Sequence, residues 1–370
     1  MHIAIDARMY GTAQRGIGRY LMKLIEHLEV VDTKNHYTIF LRRENFEEYQ
    51  PRNPNFKKAL WDTPWYGWRE QITGYRLQVT GIDLVHFPHW NVPLLFRRPF
   101  VVTIHDLELF SSNRTRNAST RGRIMYWLKW QIFQIVFRHA VLASRAIIVP
   151  SHYVEEQLLD LYPQTRKKVQ VIYEAPTIQV SALKPETCNL KPQRYALYVG
   201  AAYPHKNLPR LLKAWQMARQ ELPDHQLVLV GREDWFWQRL KMRNAECGMR
   251  NIVFYGPATD HELSALYQNA ALLVQPSLEE GFSLSPLEAL AHGTPVTVSD
   301  IPVHHEILQT AAVFFDPYNI EAISTTLVQA LRNPETRAAI LQRAPTLLTH
   351  YSWKNHAQET LRLYKTAGPV

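Results

Sequence analysis

Residues 270–295 constrain the fold more than any other stretch. Ala270 to Gln275 (AALLVQ) is a short apolar run of the kind that forms a fully buried strand. It leads into Pro276 to Pro295, PSLEEGFSLSPLEALAHGTP. There Ser285 reads as a helix N-cap, Pro286 as the first helical residue, and Glu288 as the capping-box partner three residues on. Gly293 stops the helix, and Pro295 opens a second apolar run, PVTVS. A buried strand that passes through a glycine-containing loop into a helix belongs to a parallel sheet. Such a loop is an anion site, because backbone N–H groups at the helix start point out of the strand's carboxyl end. Yet it also carries Glu279, Glu280 and Glu288. Carboxylates do not bind phosphate, but they accept hydrogen bonds from neighbouring hydroxyls such as those of ribose or hexose. Phosphate and diol recognition in one loop point to a nucleotide sugar. A plainer reading stands beside this one: Glu288 closes the capping box, and Glu279 and Glu280 are solvated loop acids.

The rest of the chain repeats the strand–helix alternation twice. In the first half, strands are expected at Ile3–Asp6, Tyr37–Leu41, Leu84–Phe87, Val101–Ile104 and Ala146–Val149, with a helix from about Gly18 to Leu28. In the second half they are expected at Tyr195–Val199, Gln226–Val230, Ile252–Tyr255 and Ala271–Gln275, with a helix from Leu208. Each set implies a parallel sheet covered on both faces. Ser181 to Pro192 (SALKPETCNLKP) is polar, contains proline and lacks periodicity, as a linker does. The expected organisation is therefore α/β, with one doubly wound domain over 1–183 and a second over 184–350.

The net charge of +9 is uneven: 24 Lys/Arg face 16 Asp/Glu in residues 1–183, against 18 and 17 in the remainder. No acid occurs between Glu108 and Glu155. That segment holds Arg114, Arg116, Arg121, Arg123, Lys129, Arg138 and Arg145, interleaved with Tyr126, Trp127, Trp130, Phe133 and Phe137. Arginine and tryptophan at helical spacing suit an anionic membrane interface, while the alternative is a core stripe with a solvated basic face. Two cysteines, Cys188 and Cys247, exclude a disulfide framework and a four-cysteine metal site, and fit a reducing cytoplasm. MHIAIDAR is a strand pattern rather than a signal peptide, and no run is apolar over the length of a membrane span. There is no Asp-x-Asp metal–diphosphate clamp, so no metal is expected at the site.

Glu280-Gly-Phe-Ser-Leu-Ser-Pro-Leu-Glu288, followed by Ala-Leu-Ala-His-Gly-Thr-Pro-Val, resembles the E-x7-E signature of the retaining, metal-independent glycosyltransferases of family 4, and of their mannosyltransferases in particular. The resemblance implies the GT-B fold: two Rossmann-like domains facing across a cleft. It also implies a terminal helix, here about 351–370, that crosses back to the first domain. It assigns Glu280 to the donor sugar's hydroxyls, Glu288 to the nucleotide ribose, and Gly281, Phe282, Ser283, Leu284 and Ser285 to the donor loop. Gly16 and Gly18, in ARMYGTAQRGIGRY, are similar to a family loop that opens a helix beside phosphate; alone, a G-x-G is a turn. His105 and Asp106, in VVTIHD, resemble a motif whose His lies beside the reacting centre, with Asp106 orienting the ring. On the residues alone, a His at a strand end is structural. His86 and His89 (DLVHFPHW) resemble the border of the acceptor cleft, and Trp61, Trp65, Tyr66 and Trp68 either line that cleft or pack. Lys206, in P-H-K-N with Asn207 capping the next helix, is electrostatically misplaced at a helix start unless an anion lies there too; the family places its diphosphate lysine at this point. Where family members carry an arginine, this chain has Ala201, and Arg232 is either its substitute or a surface residue.

The expected activity is transfer of a hexose, mannose from GDP-mannose as a first choice and a UDP-linked donor otherwise, to a glycan or lipid-linked saccharide hydroxyl in cell-surface polysaccharide synthesis. It would need no cofactor, and the chain would be cytoplasmic or peripheral on the cytoplasmic membrane face. Two alternatives are a GT-B enzyme acting on soluble sugars, of disaccharide synthase or phosphorylase type, and a basic nucleic-acid-binding protein. Two doubly wound halves with carboxylates at the functional loop speak against specific nucleic-acid binding.

Overall fold

Every strand pairing among the described residues is parallel. The computed structural model describes residues 1–11, 15–65, 67, 69–71, 81–110, 123–177, 190–246 and 248–369. Tyr66, Trp68, Arg114, Arg116, Arg121, both cysteines and the linker up to residue 189 lie outside them, and of Arg15 and residues 123–126 only the backbone is described.

The chain forms two compact units. The first comprises Met1–Leu107, Ser119–Glu174 and Ser352–Val370. Its sheet contains β1 (His2–Asp6), β2 (His36–Leu41), β3 (Phe56–Leu60), β4 (Leu84–Phe87), β5 (Phe100–Thr103), β6 (Ala146–Val149) and β7 (Val169–Val171) in the order β3-β2-β1-β4-β5-β6-β7. The central strands LVHF, FVVT and AIIV are buried along their whole length, as a sheet covered on both faces requires. Its helices include α1 (Arg15–Val31), α2 (Arg123–Ala143) and α3 (His152–Leu161).

The second unit comprises Glu108–Ala118 and Ala175–Tyr351. Its sheet contains β8 (Tyr195–Val199), β9 (Gln226–Val230), β10 (Ile252–Gly256), β11 (Leu272–Gln275), β12 (Val296–Ser299) and β13 (Val313–Phe315) in the order β10-β9-β8-β11-β12-β13. Its helices are α4 (Leu208–Ala218), α5 (Trp235–Glu246), α6 (Asp260–Asn269), α7 (Leu284–Ala291), α8 (Pro302–Leu308), α9 (Ile320–Arg332) and α10 (Pro334–Leu348). Leu211, Leu212 and Trp215 of α4 and Ile323, Leu327 and Leu331 of α9 share one buried core with β8 and β9. The spacing of these residues puts them on a single face of each helix. Asn319 starts α9 by accepting from the Glu321 and Ala322 amides.

Strand order reverses between β1 and β4 in the first sheet and between β8 and β11 in the second. These are the places where adjacent connections leave in opposite directions and open a crevice at the strands' carboxyl ends. The loops after β1, β4, β8 and β11 carry sequence motifs, and His105–Asp106 and Arg232 follow the neighbouring strands β5 and β9.

The last helix, α11 (Trp353–Ala367), belongs to the first unit. It lies on α1 and reaches the sheet through Tyr364, whose hydroxyl is 2.6 Å from His86 Nδ1. His86 Nε2 meets Thr103 Oγ1 at 2.8 Å, and burial holds the ring pKa down to about 3. His86 is thus an interior strut between β4 and the terminal helix rather than a border of a ligand cleft. Tyr364→Phe strands a buried His86 nitrogen and is expected to cost about 1–3 kcal/mol in urea-unfolding stability, whereas the equally buried Tyr195→Phe loses only one bond to the Leu266 carbonyl, a group that has a second lone pair.

Candidate functional site

Two loops of the second unit are stitched together at its switch point. The Leu278 amide donates to the His205 carbonyl at 2.7 Å. Asn207, in the left-handed region at φ 60°, occupies the N-cap position of α4, but its side chain does not cap. Instead Nδ2 donates to the Pro276 carbonyl at 3.0 Å and the Pro317 carbonyl at 2.8 Å. The expected cap is therefore a brace between loops. Behind it, Gly231 packs so closely that a Cβ would lie 2.1 Å from the Gly200 carbonyl oxygen. Only glycine permits that approach. Arg232 follows directly and is exposed on β9's side of the β8 loop, near Ala201 in sheet order.

On this brace sits an ion pair. Lys206 Nζ lies 2.8 Å and 2.7 Å from the two Glu280 carboxylate oxygens. Gln275 Nε2 (2.8 Å) and Ser277 Oγ (2.6 Å) also donate to Glu280 Oε1. Burial by itself would raise the Glu280 pKa. The Lys206 charge and hydrogen bonds, the Ser277 hydroxyl and the nearby His205 outweigh it and bring the carboxyl down to about 2. Glu280 is thus ionised and oriented, not a solvated loop acid. Gln275 Oε1 and Ser283 Oγ are buried with no hydrogen-bond partner.

The helix after this loop begins earlier than its prolines suggest. Ser283, at φ 78° and ψ 60°, is the N-cap, and α7 runs from Leu284. Ser285 is inside the helix, and its hydroxyl donates to the Val199 carbonyl at the end of β8 (3.3 Å). Adjacency of β8 and β11 draws the hydroxyl across the switch point, so the capping box does not form around Ser285. Glu288, five residues after the true cap, is 6% exposed and accepts from the Tyr267 hydroxyl at 3.1 Å. His292 stacks on the Tyr267 ring, with centroids 5.4 Å apart. Gly293 ends the helix at φ 79°, as expected. Gly281 and Phe282 lie between the ion pair and the helix start.

The first unit holds a separate group. α1 starts at Arg15, so Gly16 and Gly18 lie in its first turn rather than before it. A Cβ on Gly16 would meet nothing within 4 Å. Tyr20, on the next turn, packs edge-on against His105 at 4.7 Å between centroids. His105 Nδ1 is 3.1 Å from Glu174 Oε1, and Nε2 is 3.0 Å from the Pro88 carbonyl. Both partners are acceptors. Burial lowers the ring pKa, but the Glu174 hydrogen bond and charge, Asp106 and the Pro88 carbonyl more than reverse this and raise it. The ring's orienting carboxylate is therefore Glu174, with Asp106 a charge at the neighbouring position. Sequence proximity pointed to Asp106; Glu174 is 69 residues away and gave no local signal.

Beside this lies a pocket lined by Asp6, Arg8, Met9, Trp65, Pro88, His89 and Asn91. Arg8 is fully buried and donates to Asp6 Oδ2 (2.7 Å) and Glu70 Oε1 (2.6 Å). Its guanidinium stacks 3.7 Å over Trp61, and Asn91 Nδ2 donates to Glu70 Oε2 at 2.7 Å. Of these charged groups Asp6 and Arg8 line the pocket, while Glu70 is buried behind them, where desolvation raises its pKa against the pull of Arg8. Of the tryptophans described, Trp61 is packing and Trp65 lines the pocket. Burial holds His89 neutral, with its pKa near 3. Among the described residues, no cluster of three or more His, Cys, Asp or Glu could hold a metal ion.

Two parallel sheets whose strand order reverses midway, each with its loops gathered at the strands' carboxyl ends, are a pair of Rossmann-like units. Residues 14–175 match the family model described as Glycosyltransferase Family 4, and residues 182–346 the one described as Glycosyl transferases group 1. O-antigen chain mannosyltransferase B of Escherichia coli is 26% identical over 95% of this chain and 96% of its own. O-antigen chain mannosyltransferase RfbU of Salmonella typhimurium is 27% identical over 74% of this chain and 71% of its own. Sucrose-phosphate synthase from Thermosynechococcus elongatus shares the fold, with a TM-score of 0.80 at 19% identity over 99% of this chain and 98% of that one. The protein is a glycosyltransferase of the GT-B fold.

The Lys206–Glu280 pair has a pH signature. A carboxyl held near 2, against an ordinary 4.5, stabilises the fold above pH 4.5 and loses that contribution as pH falls toward 2. Lys206→Met removes the cation, so the variant should lose about 1–3 kcal/mol at neutral pH and much less near pH 2. Chemical denaturation of both proteins across that range measures the difference; a pH-independent gap would show that the pair is not what holds Glu280 ionised.

Proposed function

We propose that the protein is a retaining, metal-independent hexosyltransferase with the family 4 E-x7-E arrangement at Glu280 and Glu288. It moves mannose from GDP-mannose to a hydroxyl of a glycan or lipid-linked saccharide in cell-surface polysaccharide synthesis. The observation that carries this reading is the Lys206–Glu280 pair at the start of α7. It holds one cation for a diphosphate and one ionised acceptor for sugar hydroxyls within a single salt bridge. The orphan amides of the first helical turn add phosphate donors. The buried, unpartnered Ser283 hydroxyl supports a ligand there too. Mannose, and synthesis of a surface polysaccharide, are supported by the two O-antigen mannosyltransferases the chain resembles.

In the proposed reaction the bond from the sugar's C1 to the diphosphate breaks, and its electron pair stays on the leaving phosphate oxygen. Lys206 and the helix-start amides stabilise that growing charge. The acceptor oxygen bonds to C1 on the same face, and its proton passes to the departing phosphate. Glu280 fixes the sugar through its hydroxyls, and Glu288 holds the ribose. Gly16 and Gly18 contribute backbone next to phosphate, Arg232 stands in for the cation absent at Ala201, and the Asp6–Asn91–Trp65 pocket takes the acceptor saccharide. His105, with Asp106 adjacent, contacts the reacting sugar from a ring held by Glu174.

Transfer assays with GDP-mannose and UDP-hexoses, run with and without EDTA, test the donor and the metal independence together. Loss of activity in EDTA with recovery on added Mg²⁺ would overturn this donor site. Lys206→Ala should lower kcat/KM by about 2–4 kcal/mol, the scale of one preorganised charge stabiliser.

Glu288→Gln separates the ribose from the structural role. The amide oxygen still accepts from Tyr267, so melting should move little. Nucleotide affinity should fall by about 1–3 kcal/mol, because a charge-assisted acceptor becomes neutral. Unchanged nucleotide affinity would leave Glu288 as a partner of Tyr267 alone.

A further inference from the structure

Four histidines of the first unit, His86, His89, His105 and His356, lie close enough to feel one another's charge. Their hydrogen-bond partners differ. His86 meets two hydroxyls, those of Tyr364 and Thr103, each able to donate or accept. His89 Nδ1 accepts from the Asn91 amide at 3.4 Å. His356 Nδ1 is 2.9 Å from the Tyr173 carbonyl, and its Nε2 is buried with no partner. A neutral ring, with one nitrogen protonated and one bare, satisfies each of these arrangements. Burial accordingly holds all three rings neutral, bringing His86 and His89 down to about 3 and His356 to about 4.

His105 is the exception, because both of its partners only accept. Nε2 faces the Pro88 carbonyl at 3.0 Å, so Nε2 carries a proton. Nδ1 faces Glu174 Oε1 at 3.1 Å, and that contact needs a second proton, since two bare lone pairs at such a distance repel. A carboxyl gives up its proton about two pH units below an imidazolium, so this proton rests on Nδ1. Glu174 is 5% exposed, and His105 is the sole hydrogen-bond partner of its carboxylate among the described residues. A buried carboxylate costs least when its partner is a cation. The remaining neighbours do not oppose that charge. Tyr20 packs edge-on against the ring, and burial pushes its phenol well above the ordinary 10, so it is uncharged. His86, His89 and His356 are neutral, and Asp106 adds a second negative charge beside the ring. The His105 side chain keeps 16% of its surface, which leaves the ring reachable.

We propose that Glu174 is a positioning residue that keeps His105 as an imidazolium, protonated at both nitrogens. His105 then acts on a ligand through its charge and not as a base. A doubly protonated ring has no lone pair to take a proton. What it presents to a sugar or phosphate oxygen is positive charge and polarised ring edges, while Glu174 touches no substrate. The proton count stands on the geometry of the first unit alone. Its consequence for turnover rests on the transfer reaction proposed above.

Ring nitrogens of the full chain, labelled with nitrogen-15 at histidine, report the proton count directly. At pH 7 one ring, the one missing from His105→Gln, is expected to show two protonated nitrogens, while His86, His89 and His356 show one each. In Glu174→Gln the amide oxygen still accepts from Nδ1 but carries no charge. Burial then dominates, and the ring should turn neutral at the same pH. Release of GDP from GDP-mannose gives the second readout. A ring whose pKa is raised is charged below that pKa and discharges as pH rises through it. The variant's kcat/KM should therefore fall at lower pH than the parent's. At pH 7 the variant is expected to be at least about tenfold slower, which is one pH unit of displacement, and to recover toward the parent near pH 5.5. A neutral His105 ring in the parent at pH 7, or a gap of the same size at every pH, would overturn the proposal. If Glu174→Gln fails to fold, the parent's ring spectrum decides. A parent that releases no GDP counts against the transfer reaction, and the ring spectrum still decides the charge of His105.

Discussion

Parallel pairing throughout both sheets is the constraint from which the rest follows. A parallel strand must return by a crossover, so helices cover both faces and polar groups cannot emerge from the sheet surface. What remains accessible is the edge where strands end. The two reversals of strand order then decide which ends are separated enough to admit a ligand. In the second unit the reversal sets β8 beside β11, and everything at the candidate site depends on that adjacency. Asn207 can brace Pro276, Ser285 can reach Val199, and Lys206 can meet Glu280 only because two strands 70-odd residues apart in sequence are neighbours.

The fold was legible where burial is complete and illegible where it is not. Strands such as LVHF, AIIV and LLVQ announce themselves because both faces are covered and all but one residue, His86 in the first and Gln275 in the third, are apolar. Three short strands gave no such signal: β3 (FKKAL), β7 (VQV) and β13 (VFF). β3 and β7 close the two edges of the first sheet and β13 one edge of the second. Edge strands tolerate lysine and glutamine because one side lies near solvent, and such residues deter stray pairing. Helix starts were misjudged for a related reason. Local rules placed a cap at Ser285 because serine, proline and glutamate fall at capping spacing. Tertiary contacts override that choice: the hydroxyl is engaged by β8, and the turn is made one residue pair earlier by a serine in the left-handed region.

The candidate site was legible in its ionisable residues and opaque in their support. Lys206 and Glu280 could be picked out because a lysine before a helix and a glutamate in a glycine loop each contradict the simplest electrostatic expectation. Their partnership could not, since 74 residues separate them. The groups that hold them, Gln275, Ser277 and Asn207, are ordinary polar residues whose role appears only when the loops are folded together. The same is true of Glu174 at His105 and of Arg8, a buried cation placed by two carboxylates and a tryptophan ring.

The Lys206–Glu280 pair also sets a condition on any ligand. Each ion of this partly buried pair has given up part of its hydration for the other, so neither partner leaves readily unless the incoming group replaces what it had. An anion alone would satisfy Lys206 but strand Glu280, which retains Gln275 and Ser277 as neutral donors. A neutral sugar alone would offer hydroxyls to Glu280 and nothing to Lys206. A molecule that joins the two chemistries at bonding distance replaces both partners at once, and a nucleoside diphosphate sugar has that construction. Selectivity for the joined molecule over its separate halves then follows from the cost of a partly desolvated, half-satisfied charge rather than from added contacts.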